Sequence, residues 1–249
     1  MKIGLIGFGT IGQELFKRIQ NDEGMEISFV FDIDKDILRE INSSLVVESV
    51  ERGLERNPDL VVEAAGFEAV KEYAKMVLHK CDFLILSSSA LAFGETENMI
   101  KKVCARNNTK LYIPSGAIIG MDGIGAVKDE LDELRIETKK NPKGFGRDDK
   151  EKTVLFDGSS REACKKFPKN VNVSATLSLN GIGLDKTKVK VISDPLLERN
   201  CHSIFAKGSF GEFEIHVRGV PSKNPKTSSL AAISAFDLIK RIKDGIGIY

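Results

Sequence analysis

The sequence is poor in the features that mark several large functional classes. Charge of one sign is missing: 37 Lys and Arg stand against 36 Asp and Glu, for a formal net charge of +1. So balanced a chain has no strong attraction to nucleic acid or to an anionic membrane surface, and neither partner is expected. No apolar run approaches the ~20 residues that cross a bilayer. The apolar start is interrupted by Gly4 and Gly7 and lacks a cleavage site, so it reads as a strand and not as a signal peptide. Cysteine is scarce and scattered, at positions 81, 104, 164 and 201 with no CxxC pair. That usage suits free thiols in a reducing cytoplasm, not disulfides or metal ligands. HExxH and GxSxG are both missing, which argues against a zinc protease or a hydrolase nucleophile, and no metal is expected. There is no internal repeat and no low-complexity tract.

What is present begins at the N-terminus. Lys2–Ile6 is an apolar run of strand length, followed by Gly7-Phe8-Gly9-Thr10-Ile11-Gly12 and then a helical pattern with Ile11, Leu15 and Ile19 on one face. A second apolar strand, Ile27–Phe31, ends on Asp32, twenty residues beyond Gly12. Strand, glycine spacing, helix and acid together make the dinucleotide-binding fingerprint. Gly7 allows the tight turn, Gly9 lets backbone approach a pyrophosphate, and Gly12 lets helix and sheet close up. The N–H groups opening the helix, at Thr10, Ile11 and Gly12, face the phosphates. Asp32 accepts hydrogen bonds from the adenosine ribose and repels a 2′-phosphate, which favours NAD over NADP. The competing reading is a glycine-rich turn with no ligand.

Downstream, apolar strands alternate with helices. A short helix over 35–41 leads to a weak strand at 45–47, a helix over 49–56, and a buried strand beginning at Leu60 that ends in Ala64-Ala65-Gly66. Then come a helix over 68–79, a strand at 83–86 followed by Ser87-Ser88-Ser89, a helix over 96–106, and a strand at 110–113. This predicts an α/β fold, a doubly wound parallel sheet of Rossmann type covered on both faces. Ligands in such sheets sit beyond the carboxyl ends of the strands. The rule selects Gly7–Gly12, Ala64–Gly66 (with Ala65), Ser87–Ser89 and Ser115–Ala117, all rich in small residues.

After Pro114 the pattern changes. Residues 135–140, 187–193 and 213–217 alternate, and 153–156 is strand-like, while 161–167 and 172–179 look helical and 142–152 is a polar loop. A second α+β domain with an open-faced mixed or antiparallel sheet is expected over 115–226. A long amphipathic helix over 228–243, with Leu230, Ile233, Ala235, Phe236, Ile239 and Ile242 on its apolar side, is expected to return to the first domain. The dinucleotide domain would then comprise 1–114 and 227–249.

A nicotinamide cofactor implies hydride transfer and calls for a group that handles protons, a role suited to histidine. Three histidines are available. His79 ends a helix, and His216 fits one face of an alternating strand. His202 lies in a turn-like stretch entering a strand at 203–206; a lone histidine is more often structural than catalytic, and by itself His202 reads as structural.

Two longer segments are more specific than the glycine fingerprint. Ile113-Pro114-Ser115-Gly116-Ala117-Ile118-Ile119-Gly120-Met121-Asp122-Gly123 and Phe167-Pro168-Lys169-Asn170-Val171-Asn172-Val173-Ser174-Ala175-Thr176 resemble the L-aspartate dehydrogenase family closely. So do Asp194-Pro195 with Asn200 and His202, and Asn224-Pro225-Lys226-Thr227-Ser228, in the family's order along the whole chain. The resemblance implies oxidation of L-aspartate at Cα to iminoaspartate, which hydrolyses to oxaloacetate and ammonia, and a link to NAD biosynthesis. It implies His202 as the active-site histidine, Ala117 and Asn172 as cofactor contacts, and a homodimer.

Aspartate brings two carboxylates that need donors, for which Ser115, Asn172, Lys226 and Thr227 are candidates. Capping of the helices after Asn172 and after Ser228 would explain Asn172, Lys226 and Thr227 equally. Two rivals stay open: a homoserine dehydrogenase or dihydrodipicolinate reductase type of oxidoreductase, and a non-catalytic NAD(H) sensor. The sensor would gain from a DNA-reading helix or a basic stripe, and neither is seen.

Overall fold

The computed structural model describes residues 1–220 and 228–245, and the chain divides into two compact units. The first takes in residues 1–114 with the described residues from Ala232 onward; the second takes in the described residues of Ser115–Ala231.

The first unit runs β1 (Lys2–Ile6), α1 (Thr10–Gln20), β2 (Glu26–Phe31), α2 (Val50–Leu54), β3 (Leu60–Glu63), α3 (Phe67–Leu78), β4 (Asp82–Ile85), α4 (Gly94–Asn107) and β5 (Leu111–Tyr112). Its sheet has the order β2-β1-β3-β4-β5 with every pair parallel. Strands covered on both faces cannot alternate, and these do not: Leu60, Val61, Val62, Phe83, Leu84 and Ile85 are all wholly buried. From α1, Leu15 and Ile19 pack onto this core. Two short segments differ from the sequence expectation. The stretch 35–41 forms only a 3₁₀ turn at Asp36–Leu38. The stretch 45–47 makes a single parallel bridge, Val46 to Val30. The Arg56 guanidinium donates to the carbonyls of Ser28 and Ser44 nearby, so acceptors that a longer ladder would use are taken.

The second unit runs α5 (Met121–Ala126), β6 (Leu131–Lys140), β7 (Thr153–Ser159), α6 (Ser160–Lys166), α7 (Asn172–Asn180), β8 (Lys188–Ser193), β9 (Asn200–Gly208) and β10 (Gly211–Gly219). Helix α5 lies in a glycine-rich stretch that gives no helical signal. The sheet order is β10-β9-β6-β8-β7; β6 and β8 are parallel and the other neighbours antiparallel, so the sheet is mixed. Along β6 the pleat buries Leu134, Ile136, Thr138 and Lys140 on one face and turns Arg135, Glu137 and Lys139 to the other. A capping box between Ser159 and Glu162 starts α6.

The last helix, α8 (Ser229–Asp244), sends Ala235 and Ile239 into the core of the first unit, with Phe236 and Ile242 packed beside them. Lys243 anchors its far end on Asp22 at 2.8 Å. Ile233, assigned to the apolar side from the sequence, is 45% exposed. It stands two positions before Ala235, about 200° around the helix from the buried stripe.

Candidate active site

At the carboxyl ends of the parallel strands, backbone packing leaves no room for a side chain at Gly7 or at Gly12. Gly7 adopts φ +97°, and a Cβ there would come within 2.6–2.7 Å of the Ala64 and Ala65 backbone. A Cβ on Gly12 would run into the Gly7 carbonyl oxygen. Gly9 differs from both: a Cβ there meets nothing within 4 Å. Thr10 and Ile11 open α1, whose first turn has no acidic residue and no side-chain cap. Open space above Gly9 and an uncapped helix start suit a pyrophosphate. The Asp32 carboxylate lies beside this loop, accepting from the Phe8 amide at 2.6 Å and the Asp34 amide at 2.9 Å.

Glu63 ties the neighbouring strand ends together. It is wholly buried and accepts from the amides of Ala65 (2.8 Å) and Gly66 (2.6 Å), and from the Ser87 amide (3.1 Å) and hydroxyl (2.9 Å). Burial pushes its pKa up, and the four donors pull against that. Through this carboxylate Ala65, Gly66 and Ser87 hold one arrangement. Nothing in the sequence reading singled it out, since an acid closing an apolar strand next to small residues is a weak signal.

In the second unit His202 is not in a turn. It sits within β9, paired in register with Thr138 of β6 and Val217 of β10. Its flanking residues are polar, so alternation starts too faintly at Asn200 to be read as strand. His202 is 3% exposed, and its Nδ1 lies 3.0 Å from Thr138 Oγ1. Two residues along the same face of β6, Lys140 is 6% exposed and donates from Nζ to the Asn170 carbonyl at 3.0 Å. Burial and the Lys140 charge push His202 down to about 3, and burial lowers Lys140 to about 8. The imidazole is therefore neutral at physiological pH. Lys140 and Thr138 were not anticipated, because Lys139-Lys140 looks from the sequence like a solvated basic pair.

The remaining expected residues are dispersed. Ser115 and Ala117 belong to a half-buried turn in which the Ile118 amide reaches back to the Ser115 carbonyl, and Gly116 has φ +68°. Asn172 is the first residue of α7; the N-cap position falls on Val171 and no side chain caps it. Lys226 and Thr227 lie outside the described residues, whereas Ser228 accepts from the Leu230 amide at the start of α8. His79 is exposed and His216 lies on the outer face of the second sheet, where it meets Ser203 and Glu214. All four cysteines are free, and among the described residues no cluster of metal-ligating side chains occurs.

A parallel sheet with a glycine cradle and an acid at the end of its second strand, joined in one chain to a mixed sheet holding a buried imidazole, defines the class of NAD(P)-dependent dehydrogenases. A family model described as homoserine dehydrogenase, NAD binding domain, matches residues 7–114, and one described as aspartate dehydrogenase, C-terminal, matches 122–242. The L-aspartate dehydrogenase of Archaeoglobus fulgidus is 39% identical, over 99% of this chain and 99% of its own. That of Methanococcoides burtonii is also 39% identical, over 100% and 99%. The crystal structure of aspartate dehydrogenase from Thermotoga maritima matches with a TM-score of 0.79 at 29% identity, covering 100% of this chain and 98% of that one. The chain belongs to the L-aspartate dehydrogenase family.

Proposed function

We propose that this chain oxidises L-aspartate at Cα with NAD⁺, and with NADP⁺ as the weaker alternative, to iminoaspartate that water converts to oxaloacetate and ammonia. The observation that carries the reading is the match to L-aspartate dehydrogenases along the whole chain. It is supported by a buried, neutral imidazole at the position where the family has its active-site histidine. When bound, the nicotinamide ring supplies the hydride acceptor. The Cα–H bond breaks with its electron pair, the amine lone pair forms the C=N bond, and the amine loses one proton. His202 takes that proton, or the proton of the water that then attacks the imine. In the tautomer whose Nδ1–H donates to Thr138 Oγ1, Nε2 carries the free lone pair. The two carboxylates of the substrate raise the basicity of this imidazole on arrival, offsetting the neighbouring Lys140 charge.

Gly7, Gly9, Thr10, Ile11 and Gly12 would hold the pyrophosphate and Asp32 the ribose, with Ala65, Gly66, Ser87, Ala117 and Asn172 completing the cofactor contacts. Ser115, Asn172, Lys226 and Thr227 are assigned to the substrate. The iminoaspartate would serve a biosynthetic route to pyridine nucleotides. Four free cysteines fit a cytoplasmic setting, and no helix among the described residues is long and apolar enough to cross a membrane. The partner is a second copy of the chain, seated on the outer face of the mixed sheet. Acids and bases alternate there around a groove of about 380 Å³ lined by Arg135, Glu137, Asp157, Lys190, Phe205 and His216.

The test is absorbance of the reduced nicotinamide with oxaloacetate, ammonia and NADH, against a panel of other keto acids and with NADPH in parallel. Oxaloacetate is expected to be the preferred acid. Asp32→Ser is expected to shift the NADPH-to-NADH ratio toward NADPH. A panel in which oxaloacetate is inert would remove the aspartate reading, and an unmoved ratio would mean that Asp32 does not read the ribose.

A further inference from the structure

Adjacent lysines on β6 have opposite fates. Lys139 points to the outer face and pairs with Glu137 at 2.7 Å. Lys140 points inward, and among the described residues no acid pairs with it. Among the described residues it donates only to the Asn170 carbonyl, and the ring of Phe145 lies 5.8 Å from Nζ. The turn at Pro142–Phe145 closes over its stem: a Cβ at Gly144 would touch Lys140 Cβ and Cδ at 3.6 and 3.8 Å. An ammonium has three protons to donate, and two of these find no acceptor among the described residues. A cation held out of water without a counter-ion is costly, so a site that keeps one is prepared for an anion that arrives with the ligand. The position suits this. Thr138 and His202 form the next rung on the same face, about 7 Å away along the strand, a span that a four-carbon diacid bridges.

We propose that Lys140 is the anion-receiving residue of the active site, pairing its ammonium with one carboxylate of the dicarboxylic substrate. The inference rests on the reading of the substrate as aspartate, and it deepens that reading by naming the residue that distinguishes a diacid from a monoacid. A carboxylate beside Nζ completes the buried cation and also screens its charge from His202, so binding of the acid and readiness of the base are linked.

Lys140→Met keeps the stem and removes the charge. The probes are succinate, a four-carbon diacid with no amine to oxidise, and butyrate, its monoacid counterpart, titrated calorimetrically; NADH binding is followed by fluorescence. The native chain is expected to bind succinate at least tenfold more tightly than butyrate. Lys140→Met should lose about 10–100-fold in succinate affinity, bind the two acids alike, and keep its NADH affinity within twofold. Should that variant not fold, Lys140→Gln is read by the same criteria. Succinate affinity within threefold of native, with NADH binding intact, overturns the proposal, as does a native chain that does not distinguish the acids. The two readings fail separately. Succinate held through Lys140 by a chain that does not reduce oxaloacetate would end the aspartate reading alone. Oxaloacetate reduced by a chain in which Lys140→Met leaves succinate binding unchanged would end this one alone.

Discussion

His202 and Lys140 lie on one face of one sheet, and each is moved from its ordinary ionisation by burial. For His202 the consequence for stability has a definite sign. The unfolded imidazole titrates near 6.5 and the folded one at about 3. Between those values the unfolded chain binds more protons, so stability rises with pH across the window and is lost as pH falls through about 6.5 toward 3. His202→Asn should therefore lose less stability than the native chain between pH 7 and pH 4.5, by an amount on the order of a few kcal/mol, measured by urea unfolding at both values. Parallel losses would show that the folded imidazole charges as freely as the unfolded one. The same residue carries the catalytic prediction: His202→Ala should lower turnover by about 10²–10⁴ while NADH affinity stays near native. Equal loss of both would mark a structural histidine. Lys140 shows why residue-scale chemistry was only partly legible. The identity of a lysine is plain in the sequence, but which of two neighbours the pleat turns inward depends on the register of β6 with β9.

At the scale of elements, the loop from β1 to α1 was the most legible part of the chain, because its constraints are local. Gly7 and Gly12 are fixed by backbone that crowds them, whereas Gly9 faces open space, which the proposed pyrophosphate would use. That distinction can be measured. Gly12→Ala puts a methyl against the Gly7 carbonyl and should lower both Tm and NADH affinity. Gly9→Ala, at φ −66° and in open space, should melt like the native chain yet bind NADH at least tenfold more weakly. If the two variants behave alike, the glycines share one packing role and the pyrophosphate is held elsewhere. The parallel strands were legible for a related reason: continuous apolar runs such as Leu60–Val62 have no face to alternate. The mixed sheet was harder. Alternation marks β6, β8 and β10, but it cannot say that β6 pairs in parallel with β8 and antiparallel with β9. Long-range pairing of this kind lies outside any local window. It is what carries His202 from an apparent turn into a central strand, and Glu63 likewise gained its role only through β4 arriving beside β3.

For the molecule as a whole, the near-cancellation of charge takes on meaning when its distribution is considered. On the outer face of the mixed sheet Arg135 contacts Glu133 at 3.1 Å and stacks over Phe205 at 4.2 Å, while Lys190 approaches Asp157 at 3.5 Å. Rows of opposite charge on one open face are self-complementary under a two-fold axis, since each acid can meet a base of the second copy. An open sheet face with a half-buried aromatic at its centre gains by covering that ring. The native chain is accordingly expected to sediment as a dimer. Reversing two of its basic positions together, Arg135→Glu with Lys190→Glu, places like charges opposite one another. It should release monomers whose circular dichroism and NADH binding match the native chain, because the glycine loop belongs to the first unit and neither Ala117 nor Asn172 lines this groove. A native chain that sediments as a monomer would end the proposal of a second copy. A charge-reversed chain that remains dimeric would move the interface off this sheet.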